Sequence, residues 1–185
     1  MRTVHAFALT AAVAVLAALG CGKADDPYRV SEKLDSSNPD EKFVWKAAQA
    51  NFAEMETGRL AEASAGDPEV RRFGQRMVED HRRSQADLTD LALKKGFKLP
   101  TRPDESHQKD ASKLAEYSGA KFDREFMSQT VSDHKKAVSL FEDASKDAKD
   151  SDVRDFARTM TPTLRDHQKM ASDLKDRIYS APAAD

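Results

Sequence analysis

Cysteine is almost missing from this chain: the single one, Cys21, stands close to the N-terminus. Without a second thiol there is no internal disulfide, and the main body has no thiolate for catalysis or metal binding. Glycine and proline are scarce, at seven each, which permits long uninterrupted helices. No stretch alternates apolar and polar residues with the period of two that a strand needs, and Asn-Gly hairpin turns are absent. Neither sign of charge dominates. Thirty Lys and Arg against 32 Asp and Glu, well mixed, give a formal net charge of −2 with no basic stripe, so no footprint for nucleic acid is present. Ser-His-Asp, phosphate-loop and dinucleotide motifs are missing too, which leaves no support for an enzyme that works without a metal.

What is present begins with an export leader. Arg2 supplies a short basic region, and Ala6 to Gly20 is an Ala-rich apolar run of 15 residues, too short to span a bilayer comfortably. Ala18-Leu19-Gly20-Cys21 resembles a bacterial lipoprotein box, in which the Cys is acylated and becomes the mature N-terminus. Leu19 occupies a place usually given to a small residue, so ordinary signal-peptidase cleavage stays open. Gly22, rather than Asp, resembles the outer-membrane sorting pattern of bacteria with two membranes. The expected organisation is a signal peptide at 1–20, a flexible polar tether at 21–38 and one helical domain at 39–180. With a lipid on Cys21 the partner is a membrane, and the address is the periplasm-facing envelope, anchored at the outer membrane. A protein partner or a homo-oligomer is left undetermined by these residues.

The domain opens on Asn38-Pro39-Asp40-Glu41, a good N-cap followed by proline at the first helical position and Glu at the capping-box position. A first helix is expected over about 39–65. Gly66 suits a left-handed helix end, and Asp67-Pro68 caps a second helix that runs to about Lys95, where Lys94-Lys95, Gly96 and Pro100 supply a stop. A short helix over 104–117 precedes a third long helix, about 120–149, and a fourth reaches about Tyr179 with Pro162 inside it. The fold class read from these signals is all-α: an up-down bundle of four long helices, with a short extra helix before the third.

Three Asp-His dipeptides, Asp80-His81, Asp133-His134 and Asp166-His167, each fall near the middle of a long helix. Helical phase separates their members. Val70, Phe73, Met77, Leu88 and Leu91 make one stripe on the second helix, with Asp80 and His81 flanking its centre, and the third helix is similar around Phe122, Phe126 and Phe141. On the fourth helix His167 points within about 20° of the apolar centre while Asp166 lies more than about 90° away, so the histidine is the shared inward residue. On the first helix Glu54 is the acidic residue in line with Phe43, Ala47, Gly58 and Ala61. Glu54, His81, His134 and His167 all stand near mid-height, and in an antiparallel bundle mid-height residues meet at one level.

Two readings follow. A His/Glu layer can be purely structural, specifying which helices pair and in what register. Alternatively, three neutral imidazoles and a carboxylate suit a single divalent metal, Zn, Fe, Cu or Mn, with Asp80 and Asp133 orienting the ligands. A metal-dependent redox or hydrolytic enzyme would need an open coordination position besides. His107 is expected at the surface or in a cap, and the methionines are expected to fill gaps in the core.

The ordered runs Glu54-Met55-Glu56-Thr57-Gly58-Arg59-Leu60-Ala61, Phe73-Gly74-Gln75-Arg76-Met77-Val78-Glu79-Asp80-His81 and Leu99-Pro100 continue in Ser118-Gly119-Ala120-Lys121-Phe122-Asp123, Asp133-His134-Lys135-Lys136-Ala137-Val138 and Thr161-Pro162-Thr163-Leu164-Arg165-Asp166-His167. Together, across about residues 40–175, they resemble the bacterial exported proteins of domain-of-unknown-function family 4142. The resemblance implies a ferritin-like four-helix fold and an envelope location, but no activity. Ferritin-like iron enzymes carry Glu-x-x-His on two helices. This chain has no such motif, so a mononuclear site is more natural than a carboxylate-bridged iron pair. The function expected is an exported, lipid-anchored interaction or stress-associated module, with a periplasmic His3Glu metal-binding protein as the alternative.

Overall fold

The computed structural model describes Leu34 and residues 37–180, so the expected leader and Cys21 lie outside the described residues. Five helices follow in order: α1 (Pro39–Ser64), α2 (Pro68–Lys95), α3 (Glu105–Leu114), α4 (Gly119–Asp147) and α5 (Ser151–Ser180). Among the described residues the chain is all-α, with one isolated bridge between Ala65 and Gly119 as its extended pairing. None of these helices is long and apolar enough to cross a membrane.

The helix ends obey local chemistry. Asn38 accepts from the N–H groups of Asp40 and Glu41, with Pro39 beginning the helix, and Asp67 accepts from the Glu69 N–H ahead of α2. Gly96 ends α2 in the left-handed region at φ 69°. One expectation changes. Gly66 has no positive φ; its lack of a side chain matters because a Cβ there would stand 2.9 Å from Gly119 Cα. Glu41, at the capping-box position, also accepts from the Lys98 N–H through Oε1 across the loop after α2.

Buried carboxylates fasten the ends to one another. Asp40 accepts from the N–H groups of Lys149 and Asp150 at 3.0 and 2.7 Å, and Asp123 from those of Gly66 and Asp67 at 3.0 and 2.9 Å. Each consumes two backbone donors at the junction of one helix with the next.

Pairings along the helices run in opposite directions. On α1 and α2, Gly58 meets Gly74 while Asn51 meets Ser84. Asp67 reaches Arg177 on α5, with Lys94 and Asp152 joining α2 and α5 at their far ends. Glu142 bonds Arg165 and Ser128 meets Tyr179 between α4 and α5. Glu54 lies beside His134, and Asp40 beside the end of α4. Each of these neighbouring pairs is therefore antiparallel. The α1–α2 contact is close because Gly58 and Gly74 face each other: a Cβ on Gly74 would lie 2.6 Å from Ala61 Cβ and 2.8 Å from Gly58 O.

Burial divides the interior into three levels. Phe43, Val44, Leu88, Phe141, Val153 and Leu164 belong to one apolar cluster. Val70, Phe73, Met77, Phe122, Phe126 and Ala171 belong to another. Between them along every long helix come the buried polar residues Asn51 and Glu54, His81 and Ser84, Thr130 and His134, and His167. A polar layer thus crosses the middle of the helices, shielded by apolar packing at both ends.

Candidate functional site

His81, His134 and His167 each arrive from a different helix, and all three are almost wholly buried, with at most 4% of the residue exposed. Their ring centroids form a nearly equilateral triangle with sides of 5.4, 5.5 and 5.6 Å. One ring nitrogen from each lies within 4.8 Å of the other two.

Every ring has an acceptor for one N–H. His81 Nδ1 is 2.9 Å from Asn51 Oδ1, and Asn51 is itself held by Nδ2 donations to Ser84 Oγ and Gln85 Oε1. His134 Nδ1 is 3.1 Å from the Thr130 carbonyl one turn earlier. A carbonyl cannot donate, so this nitrogen carries the proton. His167 Nε2 is 2.9 Å from Asp80 Oδ2, and the carboxylate fixes the proton there in the same way. The remaining nitrogens, His81 Nε2, His134 Nε2 and His167 Nδ1, are lone-pair acceptors, buried and without a hydrogen-bond partner among the described residues.

Electrostatics keeps these lone pairs free of protons. Burial, aided by the neighbouring imidazoles, holds His81 well below its ordinary 6.5 and His134 at about 3. Burial also lowers His167, against the opposing pull of Asp80. Partial burial draws the Asp80 carboxyl upward, but the hydrogen bonds and charges of His167 and Arg76 together hold it below its ordinary value. Arg76 Nε is 3.2 Å from Asp80 Oδ2, so the carboxylate links a buried imidazole to a surface guanidinium.

The other expected members are placed differently. Glu54 is buried, yet its Oε1 lies 3.6 Å from His134 Nδ1, the edge that already faces the Thr130 carbonyl, and it is not among the three convergent nitrogens. Burial, with the Asp133 charge adding to it, raises Glu54 to about 8. Asp133 pairs with Lys136 at 2.9 Å and contacts none of the three rings through a hydrogen bond recorded among the described residues, unlike Asp80. His107 Nδ1 rests 2.9 Å from Asp104 Oδ1 at the start of α3.

Two groups that orient the rings were not evident in the sequence. Asn51 stands four residues after Ala47 and three before Glu54 on the inward line of α1, so its spacing was a usable signal. The Thr130 carbonyl, by contrast, belongs to the backbone and is invisible to side-chain patterning. A cavity of about 380 Å³ between α1 and α4 reaches this level; Asn51, Glu54, His81, Asp133 and His134 line its polar side.

A family model described as a domain of unknown function, DUF4142, matches residues 27–174. No curated protein matches the sequence. Among solved structures, a DUF305 protein from Streptomyces coelicolor described as secreted shares 12% identity at a TM-score of 0.66, covering 80% of this chain and 98% of that one. CopM in a Cu(II)-bound form shares 16% identity at a TM-score of 0.63, covering 75% of this chain and 96% of that one. At such identities these likenesses establish the helical fold alone.

Proposed function

The chain belongs to the DUF4142 family, and from that premise we propose that it is an exported protein whose ferritin-like, up-down four-helix bundle holds one transition-metal ion on His81, His134 and His167. The single observation that carries this reading is the set of three lone pairs. Each ring commits one N–H to Asn51, Thr130 or Asp80 and leaves its other nitrogen buried and unpaired, and one nitrogen from each ring lies within 4.8 Å of the other two. A purely structural polar layer would pair those acceptors, since an unsatisfied buried one is worth about 1–3 kcal/mol of lost stability.

The distances fit an ion. Three atoms no more than 4.8 Å apart share a point within about 2.8 Å of each, and tetrahedral ligation at about 2.1 Å asks each ring to move inward by about 0.8 Å at most. The donor chemistry fits too. Neutral imidazoles suit Cu, Zn and Fe better than the hard cations, and affinity for divalent ions peaks at Cu(II). The Cu(II)-bound CopM, similar in fold, makes copper the first candidate. Glu54 and Asp133 then serve as carboxylates beside the site, and Asp80 orients His167. No residue is assigned a catalytic role. Export and a lipid on Cys21 rest on the leader, and the secreted DUF305 protein of similar fold supports export.

The test is metal analysis of the purified protein, stripped and then loaded with Cu, Zn, Fe or Mn and desalted. One equivalent is expected for the native chain and under about a tenth for His134→Ala. Less than a tenth of an equivalent of every metal in the native chain would overturn the proposal and return the layer to a structural role.

A further inference from the structure

Resting on that metal reading, we propose that the fourth coordination position belongs to a small anionic donor from solution, such as azide or a short carboxylate, which enters through the cavity between α1 and α4. Three protein ligands leave a tetrahedral ion one position short. The side on which it lies is marked by the lining of the cavity: His81 and His134 form part of its wall and His167 does not. The α5 ring thus stands away from the cavity, which borders the triangle at His81 and His134, whose unpaired nitrogens are themselves buried.

Size and charge define the occupant. At about 380 Å³ the cavity far exceeds the space a single water needs and falls in the range of small-ligand sites. Its body is apolar, with Ala47, Ala50, Ala137, Leu140 and Phe141 in the wall, so a compact ligand sheds its water on entering. Lys46 and Lys136 also line it, but so do Glu54, Asp104 and Asp133, and Lys136 is paired with Asp133, so the pull on an anion comes from the ion itself. A dication on three neutral imidazoles carries two uncompensated charges in a buried place, and a bound anion relieves one of them. Glu54 is the protein's own candidate for that position, but its nearer oxygen faces the Nδ1 edge of His134 rather than the convergent nitrogens.

The experiment titrates azide into the Cu(II)-loaded protein and follows the ligand-to-metal charge-transfer absorption, with copper stoichiometry measured on the same samples. Native protein should develop a saturable band. Ala50→Phe and Ala137→Phe, made separately so that one suffices if the other fails to fold, should keep one copper and bind azide at least tenfold more weakly. Stoichiometric copper without an azide band overturns this proposal and leaves the metal reading standing. A band appearing solely in Glu54→Gln overturns it as well, by assigning the position to Glu54. Equal azide affinity in native and blocked proteins refutes the route. Failure to bind copper at all removes both the metal reading and this one.

Discussion

The buried rings make the metal-free protein acid-sensitive in a calculable way. Folded, His81 is held well below 6.5 and His134 at about 3, chiefly by burial; unfolded, both titrate near 6.5. Below pH 6.5 the unfolded chain takes up protons that the folded chain refuses, so stability falls as pH drops, by about 1.4 kcal/mol per pH unit for each ring. Glu54 acts in the opposite direction. Its folded value of about 8 lies above the ordinary 4.5, so between those limits the folded state keeps a proton that the unfolded state has lost, and stability rises as pH drops. Two rings against one carboxyl leave a net loss of about 1.4 kcal/mol per unit from pH 6 to 5, and the lowered His167 adds to it. Between pH 6.5 and 8 Glu54 dominates and stability declines as pH rises, which places the optimum close to pH 6.5–7. Urea unfolding of stripped protein, followed by circular dichroism from pH 5 to 8, reads this directly. Glu54→Gln removes the opposing carboxyl and should steepen the acid limb to about 2.8 kcal/mol per unit. An unfolding midpoint that is the same at pH 6.5 and 5 in both proteins would refute the reasoning.

Other perturbations test neighbouring parts of the structure. Asp80→Asn keeps the shape but weakens the acceptor of the His167 N–H; copper affinity should drop about 10–100-fold at unchanged stoichiometry, measured by competition with a chelator. Gly74→Ala drives a Cβ to 2.6 Å from Ala61 and should destabilise by about 1–3 kcal/mol despite its better helix propensity, read from the urea midpoint. Asp40→Ala strands the N–H groups of Lys149 and Asp150 and should lower stability by about 1–3 kcal/mol in the same assay. Cys21→Ser should move the protein from the membrane fraction to the soluble envelope fraction; unchanged fractionation would count against lipidation.

Much of the architecture is a local property of the chain. Asn38-Pro39, Asp67-Pro68 and Lys95-Gly96 mark helix boundaries because capping and proline chemistry act within a few residues, and the observed ends fall within a residue or two of those signals. Burial of His81, His134 and His167 was legible because a helix repeats every 3.6 residues, which ties each ring to the apolar stripe on its own helix. Their common height followed from the similar lengths of the helices.

The rest depended on which edge of each ring meets which neighbour, and helical phase carries no information about that. Glu54 had the right face and height, but the depth of its side chain set it against the Nδ1 edge of His134 instead of inside the triangle. Asp80 and Asp133 look equivalent in the sequence, yet the packing of α2 on α5 gives Asp80 a histidine, while Asp133 pairs with Lys136 on its own helix. Asn51 and the Thr130 carbonyl complete the set of acceptors that leaves one buried nitrogen of each ring unpaired. The sequence by itself determined that the molecule is helical and that three imidazoles point inward at one level, because those properties belong to single helices. Tautomers, acceptors and the cavity beside them were decided by the tertiary structure, because they arise where side chains from different helices touch.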